Sequence, residues 1–303
     1  MNKEKKNLAE SVLQRLKNHA KTTRRRTDEL LRYFAIERFL YRLSLSQHSS
    51  KFFLKGGLML KAWEISNHRT TLDIDLLGKT QNSLQNIKDI ITDICNFEVA
   101  VDGINYETTS IKLTEMQVNG EYHGVRVLFT ANMHSAKIPM QLDIGFSDLI
   151  FPEPLVIAYP AILDFPAPKL KGYTPESVIA EKFEAMMKLG LVNTRMKDFF
   201  DVWILSQQLS FTGESLQSVI KTTFEKRQTP LNALPDSINE VFYADQIHQT
   251  RWKQFLKNIE NEAKHIELPK VINEIKEFLE PIVITSMNKQ IFSKTWNYEK
   301  KWI

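Results

Sequence analysis

A single cysteine, Cys95, leaves this chain of 303 residues without an internal disulfide and without the thiolates of a cysteine-rich zinc site. Nowhere do about 18 apolar residues run in succession, and the N-terminal MNKEKKNLAE has no apolar stretch of the signal-peptide kind. The expectation is therefore a soluble, cytoplasmic protein with no membrane association. The seven histidines include no HExxH pair, and GxSxG and GxxxxGK[ST] are both missing. A zinc hydrolase, an α/β-hydrolase and a P-loop NTPase are thereby disfavoured. Ten glycines and eleven prolines exclude collagen-like and low-complexity chains. What remains, at 43% hydrophobic and 25% charged, can bury a core for one large or two modest domains.

The net charge of +4 is mild but unevenly spread. Residues 1–42 hold twelve Lys or Arg against five Asp or Glu. Within them Arg24, Arg25 and Arg26 precede Leu30, Leu31, Phe34, Leu40 and Leu43 at helical spacing, which predicts amphipathic helices with a cationic face. Such a face could be merely solvated, or could contact an RNA phosphate backbone. From Lys51 the pattern changes. KFFLKGG reads as a strand ending in a double glycine, LMLKAWEI as a helix, and TLDIDLLG, GVRVLFTAN and KIPMQLDIGF as further strands. Six of the eleven prolines fall between Phe151 and Glu176 and mark an apolar crossover. Thr174, Pro175 and Glu176 supply a cap, an N1 proline and a first-turn acid for a helix that Gly190 can stop. DFFDVWILSQQL, SLQSVIKTTFEK, RWKQFLKNIENEAKH and PKVINEIKEFLE then predict successive helices. The fold class expected is α+β, a mixed sheet followed by a mostly helical C-terminal half.

Several residues could carry chemistry. A strand period of two places Asp73 and Asp75 on one face with Ile74 behind them. Two convergent carboxylates repel unless a cation joins them, and Mg²⁺ favours such oxygen ligands together with substrate phosphates. Asp143, between Leu142 and Ile144 on another strand, could add the third acid of a two-metal phosphoryl-transfer site. Gly56 and Gly57 would let backbone N–H groups approach a triphosphate. Lys182 shares a helix stripe with Val178, Ile179, Ala185, Met186 and Leu189, where it could snorkel to solvent or grip phosphate as a point charge. Asp198 and Asp201 flank aromatic residues on the next helix. Each motif alone is short and common; their order along one chain is more specific.

Taken in that order, FLKGGLMLKAW, HRTTLDIDLLG, IPMQLDIGF, YTPESVIAEKFEAMMKLG and NTRMKDFFDVWIL resemble the AbiEii/AbiGii-type toxin nucleotidyltransferases of the DNA polymerase β-like superfamily. An R-x-T-x-D-h-D pattern is met by Arg69, Thr71, Asp73 and Asp75, A-E-K by Ala180, Glu181 and Lys182, and R-x-K-D-h-h-D by Arg195, Lys197, Asp198 and Asp201. One departure is Leu58, where the family carries a small hydroxyl residue after the double glycine. The resemblance implies basic N-terminal helices over 1–45, a nucleotidyltransferase core over 46–170, and a helical domain over 171–303 that completes the cleft. It implies an enzyme moving a nucleoside monophosphate from an NTP, with release of pyrophosphate, onto the 3′ end of tRNA. Such an enzyme acts as the toxin of a type IV toxin–antitoxin or phage-defence system, alongside a cognate antitoxin from the same operon. Asp73, Asp75 and Asp143 would hold two Mg²⁺ ions, and Gly56, Gly57, Arg69, Thr71, Lys182 and Arg195 the nucleotide. Asp198 would position Lys182 or the sugar, and Arg24, Arg25 and Arg26 would receive RNA. Two other functions stay open: modification of a protein hydroxyl by the same site, and a non-catalytic nucleotide- or RNA-binding module.

Overall fold

A computed structural model describes residues 3–66, 69–118, 121–146, 150–257, 259, 262–297 and 299–303. His68, which opens the HRTTLDIDLLG segment, lies outside the described residues. The chain divides into two units. One comprises Met1–Ala62, Thr71–Asp148 and Leu155–Gly172, and the other Trp63–Thr70, Leu149–Pro154 and Tyr173–Ile303.

Alternation of apolar and polar side chains builds the sheet of the first unit. Its elements are α1 (Lys3–Thr23), α2 (Thr27–Leu45), β1 (Phe52–Lys55), α3 (Leu58–Ala62), β2 (Ile74–Gly78), α4 (Leu84–Asn96), β3 (Asn105–Val118), β4 (Glu121–Met133), β5 (Ala136–Gly145), β6 (Leu155–Ala158) and β7 (Lys169–Gly172). Seven strands form one mixed sheet in the order β3-β4-β5-β2-β1-β7-β6. Strand β2 runs parallel to β5 and antiparallel to β1. Along β5, Ile138, Met140, Leu142 and Ile144 are buried, and the intervening residues face the other way. Helix α2 packs on the buried face, where Phe39 meets Tyr106 and Phe129. Helix α4 joins it there, contributing Ile87, Ile90, Ile91 and Ile94 at helical spacing. With its apolar side covered by helices, the sheet keeps its opposite face for polar groups.

Four expectations need correction. The helix expected over LMLKAWEI is the single turn of α3, because the chain turns at Trp63 and Glu64, the latter at φ 55°. The proline-rich crossover is not bare connection, since β6 and β7 lie within it and β7 extends the sheet beside β1. The helix expected over RWKQFLKNIENEAKH is interrupted after Leu256, with a separate 3₁₀ turn at Glu262–His265. Finally, Arg24, Arg25 and Arg26 share no helix face. Arg24, at φ 55°, breaks α1 from α2, Arg25 pairs with Glu29 and lies over the Tyr33 ring, and Arg26 pairs with Asp28.

Helix α2 also points charge inward. Arg42 grips Asp102 with two hydrogen bonds of 2.7 and 3.0 Å, both residues buried. Glu37 accepts from the Ile162 N–H at 2.7 Å, and Arg38 donates to the Pro166 carbonyl at 2.6 Å. Much of the N-terminal charge is thus structural within this unit.

The second unit is mostly helical. Its elements are α5 (Pro175–Leu189), α6 (Met196–Gln208), β8 (Phe211–Thr212), α7 (Gly213–Lys226), α8 (Glu240–Ala244), α9 (Gln246–Leu256), α10 (Leu268–Met287) and β9 (Thr295–Trp296). The Thr174 hydroxyl caps α5 by accepting from the Ser177 N–H at 3.2 Å, and Gly190 ends the helix at φ 49°. Aromatic pairs hold the bundle, among them Phe183 with Phe224, Phe199 with Phe242, and Phe278 with Trp296. No helix among the described residues is long and apolar enough to cross a membrane.

Candidate functional site

In the first unit, strand register brings the acidic residues together on the polar face of the sheet. Asp75 on β2 stands directly opposite Asp143 on β5. Lys55 is opposite Asp75 on β1, and Arg126 is opposite Asp143 on β4. Asp73 lies in the bend just before β2, not on the strand itself, and Ile74 behind it is fully buried. That bend is held from α2: Arg32 donates from Nε to the Leu72 carbonyl at 3.1 Å and from Nη2 to Asp73 Oδ1 at 3.2 Å. The Tyr33 hydroxyl accepts from the Thr71 N–H at 3.0 Å. Thr71 is therefore fixed through its backbone by a buried tyrosine.

Arg126 meets Asp143 through two parallel hydrogen bonds of 2.8 Å, Nε to Oδ1 and Nη2 to Oδ2. Gln141 adds a third donor to Oδ2 at 3.3 Å. The Asp143 hydrogen bond chiefly holds the guanidinium above its ordinary pKa; burial opposes this, and the charges of Asp143, Asp73 and Asp75 add to it. All three acids thus act on one cation.

Beneath them, Gly56 turns the chain from β1 into α3 at φ 69°. The N–H groups of Met59 and Leu60 bond back to the Gly56 and Gly57 carbonyls, each at 3.2 Å. Helix α3 has only five residues, so its dipole is that of a single turn. Leu58, in the position after the double glycine, is fully buried and contributes to the core.

Among the described residues, no group of three or more His, Cys, Asp or Glu is arranged to hold a metal ion. The donor chemistry nevertheless suits a hard divalent cation. Three carboxylates lie on adjoining backbone positions, and a cation of the chain itself, Arg126, already sits on one of them.

The second unit carries a buried ionic network. Lys182 Nζ donates to Asp198 Oδ1 at 2.6 Å and lies 2.9 Å from Asp201 Oδ2. Arg69 reaches Asp201 with a fork of 2.8 and 2.9 Å. Arg195 Nε lies 2.6 Å from Asp198 Oδ2, an ion pair without hydrogen-bond alignment. Both carboxylates are 0% exposed, whereas half of the Arg195 side chain is in solvent. Burial works against the charge on Asp201, yet Arg69 and Lys182 outweigh it and hold the carboxyl below its usual range. Burial likewise opposes the Lys182 charge, and Asp198 and Asp201 reverse that and raise it. Among the described residues, these ion pairs set three cations, Arg69, Lys182 and Arg195, around the two acids, a net positive set.

The family model for the "Nucleotidyl transferase AbiEii toxin, Type IV TA system" matches residues 38–280, most of the chain. The chain belongs to the AbiEii nucleotidyltransferase toxin family. Among solved structures it is similar to MenT4, a nucleotidyltransferase toxin from Mycobacterium tuberculosis H37Rv, at 15% identity and a TM-score of 0.50, over 91% of this chain and 98% of that one. It is also similar to JHP933 from Helicobacter pylori, at 13% identity and a TM-score of 0.47, over 91% and 94% of the two chains. No curated protein sequence matches.

As an AbiEii nucleotidyltransferase, the chain distributes its motif residues over both units. Asp73, Asp75, Asp143, Gly56, Gly57 and Thr71 belong to the first, and Arg69, Lys182, Arg195 and Asp198 to the second. The structure hydrogen-bonds Lys182 to Asp198 and sets Asp75 and Asp143 at paired positions of neighbouring strands. It places Arg24, Arg25 and Arg26 in the first unit, at the α1–α2 turn. Sequence reasoning missed Arg32, Tyr33 and Arg126. For Arg126 a signal existed: it is the lone charge in the alternating strand GVRVLFTAN. Arg32 and Tyr33 carried no comparable mark, because their partners lie some forty positions away.

Proposed function

We propose that this AbiEii toxin is an Mg²⁺-dependent enzyme that transfers a nucleoside monophosphate from an NTP to the 3′ end of tRNA, releasing pyrophosphate and stopping translation and growth. The observation that carries this reading is the in-register pair Asp75 and Asp143 with Asp73 beside them. Asp73, Asp75 and Asp143 are the residues that would hold two Mg²⁺ ions. Metal bound there would lower the pKa of the acceptor hydroxyl and offset charge on the phosphates. Gly56 keeps the backbone close to Asp75, and Gly57 with Leu58 offers N–H groups to phosphate oxygens. Arg32 and Tyr33 keep the Thr71–Asp73 bend in one conformation, so the Asp73 carboxylate needs little reorganisation. The net positive charge around Lys182 and the exposed half of Arg195 suit an anionic triphosphate. Asp198, bonded to Lys182, fixes the direction of that amine. Arg24, the interhelical arginine, together with Arg25 and Arg26, is assigned to the RNA backbone. A cognate antitoxin encoded beside the toxin would keep the enzyme harmless in the cytoplasm.

The test is incubation of the purified protein with total tRNA, Mg²⁺ and each α-labelled NTP, with Asp75→Ala as control. Label on tRNA from one or two nucleotides, lost in the control, is the expected result. Label on protein alone would replace tRNA with a protein hydroxyl as acceptor, and no label on either would overturn the transferase reading of this site.

A further inference from the structure

Asp143 is already engaged by a cation of the chain. Its two oxygens face the Nε and Nη2 of Arg126, so the guanidinium occupies the pair of lone-pair directions through which both oxygens could together take a metal ion. Hard cations take a carboxylate through those same lone pairs. Guanidinium and metal ion are therefore competitors for Asp143. The arginine is the movable partner: Asp143 is fixed by β5 pairing on both sides, while the Arg126 side chain is 44% exposed and has a flexible stem. It can rotate into solvent without disturbing Val125 and Val127, which face the core.

We propose that Arg126 is a latch on Asp143, a built-in cation that must leave before Asp143 can join Asp73 and Asp75 in holding a divalent ion. This rests on the metal reading of the three carboxylates given above. Arg126 is a positioning residue here. By neutralising Asp143 in the metal-free protein it holds the acid in place beside Asp75, and by competing it weakens metal binding. The Gln141 amide, uncharged, stays on Oδ2 in either state.

The experiment is a Mn²⁺ titration without nucleotide, following free Mn²⁺ by electron paramagnetic resonance. It compares the full chain with Arg126→Gln, Asp143→Asn, Asp75→Asn and the double variant Arg126→Gln/Asp143→Asn, each checked for folding by circular dichroism. Arg126→Gln is expected to bind Mn²⁺ roughly three- to tenfold more tightly, the scale of one lost bidentate competitor. That gain should vanish in the double variant, because it acts through Asp143. Arg126→Lys, which keeps the charge but loses the fork, should gain less, and it serves as the second probe if the glutamine variant misfolds. Unchanged or weaker binding in Arg126→Gln, or a gain that survives removal of Asp143, would overturn the latch while Asp75-sensitive binding kept the metal reading intact. Binding that Asp75→Asn leaves untouched in every background would overturn both.

Discussion

A Cβ placed on Gly56 would come within 2.1 Å of Asp75 Oδ2. The double-glycine turn and the acidic strand therefore form one structural unit, in which the missing side chain of one residue is the space occupied by the other. Gly56→Ala should destabilise the fold by about 1–3 kcal/mol, since alanine at φ 69° is strained as well as crowded. The displaced carboxylate should also depress nucleotide transfer more than the loss of stability explains. Urea denaturation and a nucleotide-transfer assay on the same preparation separate the two effects.

Lys182 is expected to matter to stability before it matters to catalysis. Lys182→Ala leaves Asp198 and Asp201 buried with less cationic support, at a cost of about 3–5 kcal/mol. Arg195→Ala, half exposed, should cost less than about 1 kcal/mol. If the network serves the triphosphate, NTP affinity should fall in Arg195→Ala at nearly unchanged melting temperature. Calorimetric NTP binding alongside thermal melts checks this, and equal affinity in the two proteins would count against the assignment.

The Arg42 and Asp102 pair offers a purely structural counterpart. Asp102→Asn leaves the Arg42 charge without its buried partner and should destabilise by about 3–5 kcal/mol. The surviving folded fraction should transfer nucleotide at the ordinary rate per folded molecule, because none of the hydrogen bonds of the pair reaches a candidate site residue.

Lys61 predicts a pH dependence of stability. Burial is the main force lowering its amine to about 8 from an ordinary 10.5, against the pull of Glu37. Between those values the unfolded chain binds more protons than the folded one, so this group adds stability as pH rises from about 8 towards 10.5. Lys61→Met should remove that rise. Its stability advantage over the parent protein should be largest at pH 7.5 and shrink by pH 10, measured by urea unfolding in matched buffers.

The sequence revealed elements whose signal is local. Thr174, Pro175 and Gly190 marked α5 at both ends, and the alternation in KIPMQLDIGF marked β5 with Asp143 on the polar side. The four-residue strands β6, which does not alternate, and β7, which does, were hidden by the prolines around them, and the place of β7 in the sheet depends on β1 far away in the chain. Charge was the least legible property. A basic run such as Arg24–Arg26 reads as a solvated surface, yet Arg25, Arg38 and Arg42 are committed to partners that only tertiary structure supplies. Lys182 was visible as an anomaly on an apolar stripe, but its two acids came from the following helix and its net charge balance from Arg69, more than a hundred positions earlier.

That last connection restricts how the protein can be dissected. Trp63–Thr70, although it lies early in the chain, belongs to the same unit as Tyr173–Ile303. A fragment starting at Tyr173 would contain every helix from α5 to α10 and still lack the guanidinium that forks onto Asp201. Deletion libraries, split reporters and proteolytic nicking that assume a linear order of domains would therefore leave a buried acid in the bundle with Lys182 as its one remaining cation among those described above. Circular permutation that keeps residues 63–70 joined to the helical segment is the more promising way to isolate it.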